Sequence, residues 1–218
     1  MRGTRRFRHH LLIALGAALL GGAVAWGGFP AAGPRARISA ALAYIGLAGV
    51  ALSLAIGPLN IRSGRPNPVS GDLRRDLGLW GGIAGLLHVG IGLTVHLRGH
   101  MEQYFVPRPG SDSRLPLRID PFGWANHLGL LAGAILLVLV LLSSDVALRR
   151  LGAARWKRWQ RLNYIGALAI LGHGALYQII EKRKAVLVAL FALLVIATLV
   201  IQGLGMRAVR ARSLAARS

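Results

Sequence analysis

Runs of about 20 apolar residues, separated by short polar or basic segments, dominate this chain. A helix rising 1.5 Å per residue needs that length to cross a hydrocarbon core roughly 30 Å thick. Six spans are predicted on this pattern: Leu11–Phe29, Ser39–Pro58, Leu77–Leu97, Trp124–Ser143, Leu162–Ile180 and Ala185–Met206. The expected fold is therefore all-α, a polytopic membrane bundle of six transmembrane helices forming one domain over residues 1–218. The first run follows a basic stretch and precedes small residues, as a secretory signal does. Its apolar part is longer than the 7–15 residues of a signal core, so it is expected to remain as a helix.

The segments between the spans predict the orientation. With the N-terminus inside, the inner segments hold Arg2, Arg5, Arg6 and Arg8, then Arg62, Arg65, Arg74 and Arg75. They also hold Arg149, Arg150, Arg155, Lys157, Arg158 and Arg161, and finally Arg207, Arg210, Arg212 and Arg217. The outer segments hold half as many: Arg35, Arg37, Arg98, Arg108, Arg114, Arg118, Lys182, Arg183 and Lys184. Cytoplasmic loops are enriched in Lys and Arg, so both termini are expected in the cytoplasm and the chain in a cell inner (plasma) membrane. The outer segment 98–123 carries Pro107, Pro109, Pro116 and Pro121 and reads as an irregular loop. The inner segments 57–76 and 149–161 read as a turn-rich connection and a basic loop.

Composition then narrows the chemistry. Hydrophobic residues make up 54% of the chain and the formal charge is +20. In a soluble domain such a charge points to nucleic acid; here the cations flank apolar spans, where anionic lipid headgroups account for them and nucleic-acid binding is not expected. There are no cysteines, which excludes disulfides, thiolate metal sites and iron–sulfur clusters. No G-x-G-x-x-G follows a predicted strand, so a Rossmann-type dinucleotide domain is not expected.

Ionisable residues inside a bilayer are costly and mark function by default. His88 in the third span and His173 in the fifth each lie about 11 residues from the inner end, so both are expected at mid-membrane depth. Two neutral imidazoles from separate helices suit the two axial positions of a haem iron. Gly81, Gly82, Gly85, Gly90 and Gly92 near His88, and Gly166, Gly172 and Gly174 near His173, leave helix faces without bulk for a flat macrocycle. The competing explanation is that each histidine bonds a neighbouring helix and the glycines permit close packing. A second group, His96, His100 and His127, lies near the outer face: His96 or His100 can ligate a second haem with His127, or contact a quinol or external partner, or simply form an interfacial polar set. His9 and His10 are expected to contact headgroups, and the five tryptophans to form interfacial belts.

These residues sit in stretches that resemble a known family. NPVSGDLRRDLGLWGGIAGLLHVGIGL resembles the start of the third helix in ferric reductase-like transmembrane domains, and LLSSDVALRRLGAARWKRWQRLNYIGALAILGHG their fourth-to-fifth helix passage. The resemblance covers about residues 57–181 and is nearest to the haem-binding membrane subunits of bacterial methionine sulfoxide reductase systems. It implies electron transfer through b-type haem, with the third-helix ligand matching His88 and the fifth-helix ligand His173. A further histidine common in that family, ahead of the fifth-helix ligand, is Gln160 here, so one haem is the primary expectation.

The resulting expectation is a membrane cytochrome b. It would take electrons from a cytoplasmic flavoprotein or quinol and pass them to an acceptor protein or small molecule at the outer face, as the electron-transfer subunit of an oxidoreductase. Quinone or flavin at the protein itself, and ferric chelates as substrates, are left open. The alternative is a haem-free transporter, or a scaffold subunit of a partner complex, for which polar residues would be scattered along a path.

Overall fold

The computed structural model describes residues 2–65, 72–97, 100–110 and 115–215. Arg98, Arg114 and Arg217, counted above in the basic bias, lie outside them, as do parts of the two connecting segments containing residues 66–71 and 111–114. The described residues are helical and contain no strand. The elements are α1 (Arg2–Gly22, continued by a π-helical turn Ala23–Gly28), α2 (Pro34–Arg62), α3 (Asp72–Gly92) and a 3-10 turn (Met101–Tyr104), followed by α4 (Pro121–Leu142), α5 (Asp145–Gln160), α6 (Leu162–Ile180) and α7 (Ala185–Ala215).

Four of these are long and apolar enough to cross a membrane: Arg6–Gly28, Pro34–Arg62, Pro121–Leu142 and Ala185–Leu214, with mean hydropathies of 1.9, 2.0, 2.3 and 2.8. The helices α3 and α6, predicted as the third and fifth spans, are not among these four. They carry glycines, a histidine and, in their first turns, polar residues. The bundle surface is apolar as well: Leu193 and Ile196 on α7 are 65% and 59% exposed, and only 6% of the apolar stretch of α7 is buried. A soluble protein rarely exposes so continuous an apolar face, and the arrangement is consistent with a membrane protein.

Local chemistry sets the helix ends. Proline occupies the first turn of α2 and α4, where its missing N–H costs nothing. Asp120 caps α4 by accepting from Gly123 N at 2.7 Å, and Ser144 caps α5 through Ala147 N at 3.1 Å. The Arg118 guanidinium beside Asp120 holds its carboxyl below the usual carboxylate range. The helix α5 occupies the segment expected to be a basic loop. Gly152 (φ 70°, ψ 158°) breaks it in the middle, and the Trp156 indole donates to Leu142 O at 2.8 Å, tying it beneath α4.

Packing follows from small residues. Bare backbones of α2 and α3 meet at Gly49 and Gly81, where a Cβ on Gly49 would lie 2.6 Å from Gly81 Cα. A cluster of Val50, Leu54 and Leu136, with Leu86, Ala167 and Ile170 against it, joins α2, α3, α4 and α6. A second cluster, Val24, Ala40, Tyr44 and Leu187, joins α1, α2 and α7 at the opposite end. At the end carrying the termini, Asp76 on α3 is fully buried and pairs with Arg6 at 3.2 Å, with His9 and His10 within 3.9 Å and 3.8 Å. The Trp80 indole donates to His10 Nδ1 at 3.2 Å. His9 and His10 thus lie where α1 packs against α3, with part of each side chain still exposed.

Pro58 interrupts α2 and leaves the carbonyl of Leu54, four residues earlier, without its helical donor. Gln202 Nε2 on α7 supplies one at 2.9 Å, and Gly205 lets α7 approach Pro58. The helix ends at Gly64 and Lys182 share one geometry. In each, the residue has positive φ (64° and 45°) and the last two amides bond back to the final turn. Glycine tolerates this conformation; lysine is strained in it. Two outcomes follow. Gln202→Leu should destabilise the protein by about 1–2 kcal/mol, because it orphans a buried carbonyl, and Lys182→Gly should stabilise it by about 1 kcal/mol; thermal melts of the detergent-solubilised protein measure both.

Candidate functional site

The helix α3 stops at Gly92, five residues short of the predicted end Leu97. The nearly fully buried Tyr104 caps it: its hydroxyl donates to Gly92 O at 3.1 Å and accepts from His96 N at 3.0 Å. His88 consequently lies one turn from the end of α3, and His173 about two turns from the end of α6. The two histidines sit toward the end of the bundle away from the termini, not at its middle as the spans predicted.

They do meet. The imidazole centroids of His88 and His173 are 5.9 Å apart with planes at 67°. Between them, α2 and α4 frame a cavity of about 290 Å³, at the lower edge of the range of about 300–1,000 Å³ common for small-molecule sites. Each ring is oriented by main chain. His88 Nδ1 donates to Ser39 O at 2.9 Å, with the Ser39 hydroxyl 3.0 Å from the same nitrogen. His173 Nδ1 donates to Ala125 O at 2.8 Å. A carbonyl can only accept, so both Nδ1 atoms carry the proton and both Nε2 atoms keep a lone pair. Metal-ligating histidines are oriented by such bonds, which raise the basicity of the free nitrogen. Imidazole–metal bonds of about 2 Å place two rings on one ion with centroids roughly 6 Å apart. The donor set fits a metal held between the rings.

Glycines surround the rings, in two roles. A Cβ on Gly129 would stand 2.7 Å from His173 Nδ1, so this position must be glycine for the imidazole to fit. Gly46, Gly85, Gly92, Gly133 and Gly174 also line the cavity. Of the glycines expected to leave room for a macrocycle, Gly81, Gly82, Gly166 and Gly172 instead admit neighbouring helices, at Gly49, Val140, Ile135 and Leu128, and Gly90 faces open space. The packing explanation holds for Gly81, Gly82, Gly166 and Gly172, and Gly85 and Gly174 likewise meet Leu136 and Phe191; Gly90 serves neither purpose.

The other three histidines do not form a second pair, and no ring contact joins any two of them among the described residues. His96 lies at the cavity mouth with Nε2 3.3 Å from Glu181 Oε1. His100, 67% exposed, pairs with Glu102 at 3.4 Å. His127 Nε2 is 3.2 Å from Arg118 O, and its ring rests between Phe105 and Trp124. His96 and His100 lie beyond the end of α3 at Gly92 and so share no helix face. Sequence reasoning missed Ser39, Ala125 and Gly129: two act through backbone carbonyls and one through the absence of a side chain. Tyr44, Gln178 and Arg183 at the mouth were missed too. The Tyr44 hydroxyl donates to Leu187 O at 2.9 Å and accepts from Gln178 Nε2 at 3.1 Å, leaving Gln178 Oε1 buried without a donor.

No family model, curated protein or solved structure matches the chain. Geometry alone therefore carries the assignment. Gly129→Ala should displace the His173 ring and weaken any metal-centred ligand held by the pair by about 10- to 100-fold. Gly90→Ala, placed in open space, should leave binding unchanged; titration of the purified protein with the ligand, read by absorbance, compares the two.

Proposed function

We propose that the chain is a six-span membrane protein, both termini cytoplasmic, that holds one b-type haem between His88 and His173 and conducts electrons across the bilayer. The observation that carries this is the pair itself: two imidazoles 5.9 Å apart in one cavity, both with Nδ1 committed to a carbonyl. In this reading His88 and His173 would hold the iron through their free Nε2 atoms. The carbonyls of Ser39 and Ala125 hold each ring in the required tautomer and rotation, and Gly129 admits the His173 ring. The group itself would supply a one-electron centre, with its potential tuned by axial ligation and a dry surrounding.

The remaining residues define the two faces. Leu136, Ile170 and the glycines around the rings give the cavity an uncharged lining, and the ionisable His96, Glu181 and Arg183 line it as well. The end carrying those three would face an outer acceptor. At the opposite end Arg74, Arg75 and the basic residues of α5 form a cationic collar. Asp145 is drawn into it by Arg75 at 2.5 Å, and its carboxyl is held below the usual range by that guanidinium. A positive collar suits an acidic cytoplasmic donor such as a flavoprotein, or the headgroup region from which quinol would enter.

The test is a reduced-minus-oxidised visible spectrum of the purified protein. The b-type Soret and α bands are expected; they should vanish in His88→Ala and in His173→Ala and persist in His100→Ala, whose ring is exposed. A wild-type protein without these bands would leave a haem-free transporter or scaffold as the reading.

A further inference from the structure

One cation at the mouth of the cavity makes no direct ion pair with a carboxylate among the described residues. Arg183 lies just beyond the end of α6, and it is the one Lys or Arg among the described residues that lines the cavity holding His88 and His173. Its guanidinium stacks on Phe29, 4.4 Å from the ring centroid, and no carboxylate among the described residues pairs with it. Glu181, its nearest acidic neighbour in the chain, is turned to His96. Burial draws the Arg183 pKa below the usual value, a sign of a cation partly stripped of water. Glu181 attracts it through space without touching it, and a partly buried guanidinium with no direct carboxylate contact gains when an anion meets it.

The backbone fixes where this cation stands. Lys182 adopts the left-handed conformation (φ 45°), and Arg183 N bonds back to Gln178 O at 3.1 Å. The turn therefore holds Arg183 over the cavity mouth on the helix that carries His173. The deep end of the cavity, around Gly46, Leu136 and Ile170, has no charged lining residue among those described.

A b-type haem is apolar except at one edge, which carries two carboxylates. Resting on the haem reading above, we propose that Arg183 binds this carboxylate edge, so that the porphyrin enters with its apolar edge inward and its carboxylates at the mouth. Guanidinium and carboxylate pair by parallel N–H···O bonds, which lysine cannot reproduce in full. Arg183 is in this sense a binding residue for the cofactor, acting at the ring edge and not at the iron.

The experiment titrates the full-length apoprotein, in lipid nanodiscs, with iron protoporphyrin IX and separately with its dimethyl ester, following the Soret band. Wild type should bind the free acid about tenfold or more tightly than the ester. In Arg183→Gln the affinity for the free acid should fall to that of the ester, whose own affinity stays unchanged, and Arg183→Lys should recover part of the difference. Equal binding of both porphyrins by wild type, no change in Arg183→Gln, or an equal loss for both porphyrins would overturn the Arg183 assignment alone. If wild type binds neither porphyrin with a bis-imidazole spectrum, the haem reading and this one fall together.

Discussion

A carbonyl left bare in an apolar bundle has no water to turn to, and this one constraint organises the protein. Where the helical ladder is interrupted or ends, side chains from elsewhere in the fold supply donors: Gln202 reaches Leu54 O, Tyr104 reaches Gly92 O and Trp156 reaches Leu142 O. The two central histidines also donate to main-chain oxygens, Ser39 O and Ala125 O, which lie within helices α2 and α4. The same kind of bond that closes helix ends elsewhere orients a ring at these two positions. An imidazole that donates to a carbonyl from one nitrogen is left with a lone pair on the other.

The glycines express a second division of labour. Where Gly49 meets Gly81, two backbones touch and the α2–α3 pair becomes a rigid wall. That wall places the Ser39 carbonyl opposite His88, so the orientation of the ring is inherited from a contact several turns away. Gly129 acts locally, by leaving a recess that the His173 ring fills. Close packing and open space are thus made from the same residue type, and only the neighbour across the helix decides which one results.

Much of the architecture was legible because apolar runs of membrane length are hard to disguise. The ends of the helices were less so. Leu93–Leu97 continue the apolar pattern of α3, and nothing local announces that Tyr104, from beyond a break in the chain's course, caps Gly92 instead. The same early end leaves His96 and His100 outside the helix. The helix α5 was hidden by its charge, since a run of arginines reads as a solvated loop until Ser144 is seen to cap it. The meeting of His88 with His173 was readable from residue type and approximate depth. Their orienting partners were not, because a carbonyl belongs to every residue and leaves no mark in the sequence.

The bond between Gln202 and Leu54 O has a consequence for how the chain is made. α2 is made before α7, so the acceptor that Pro58 frees at Leu54 waits unmet until Gln202 follows it in the chain. Until then the flank of α2 that α7 covers stands open, and the two helices can close on one another only once both have been made.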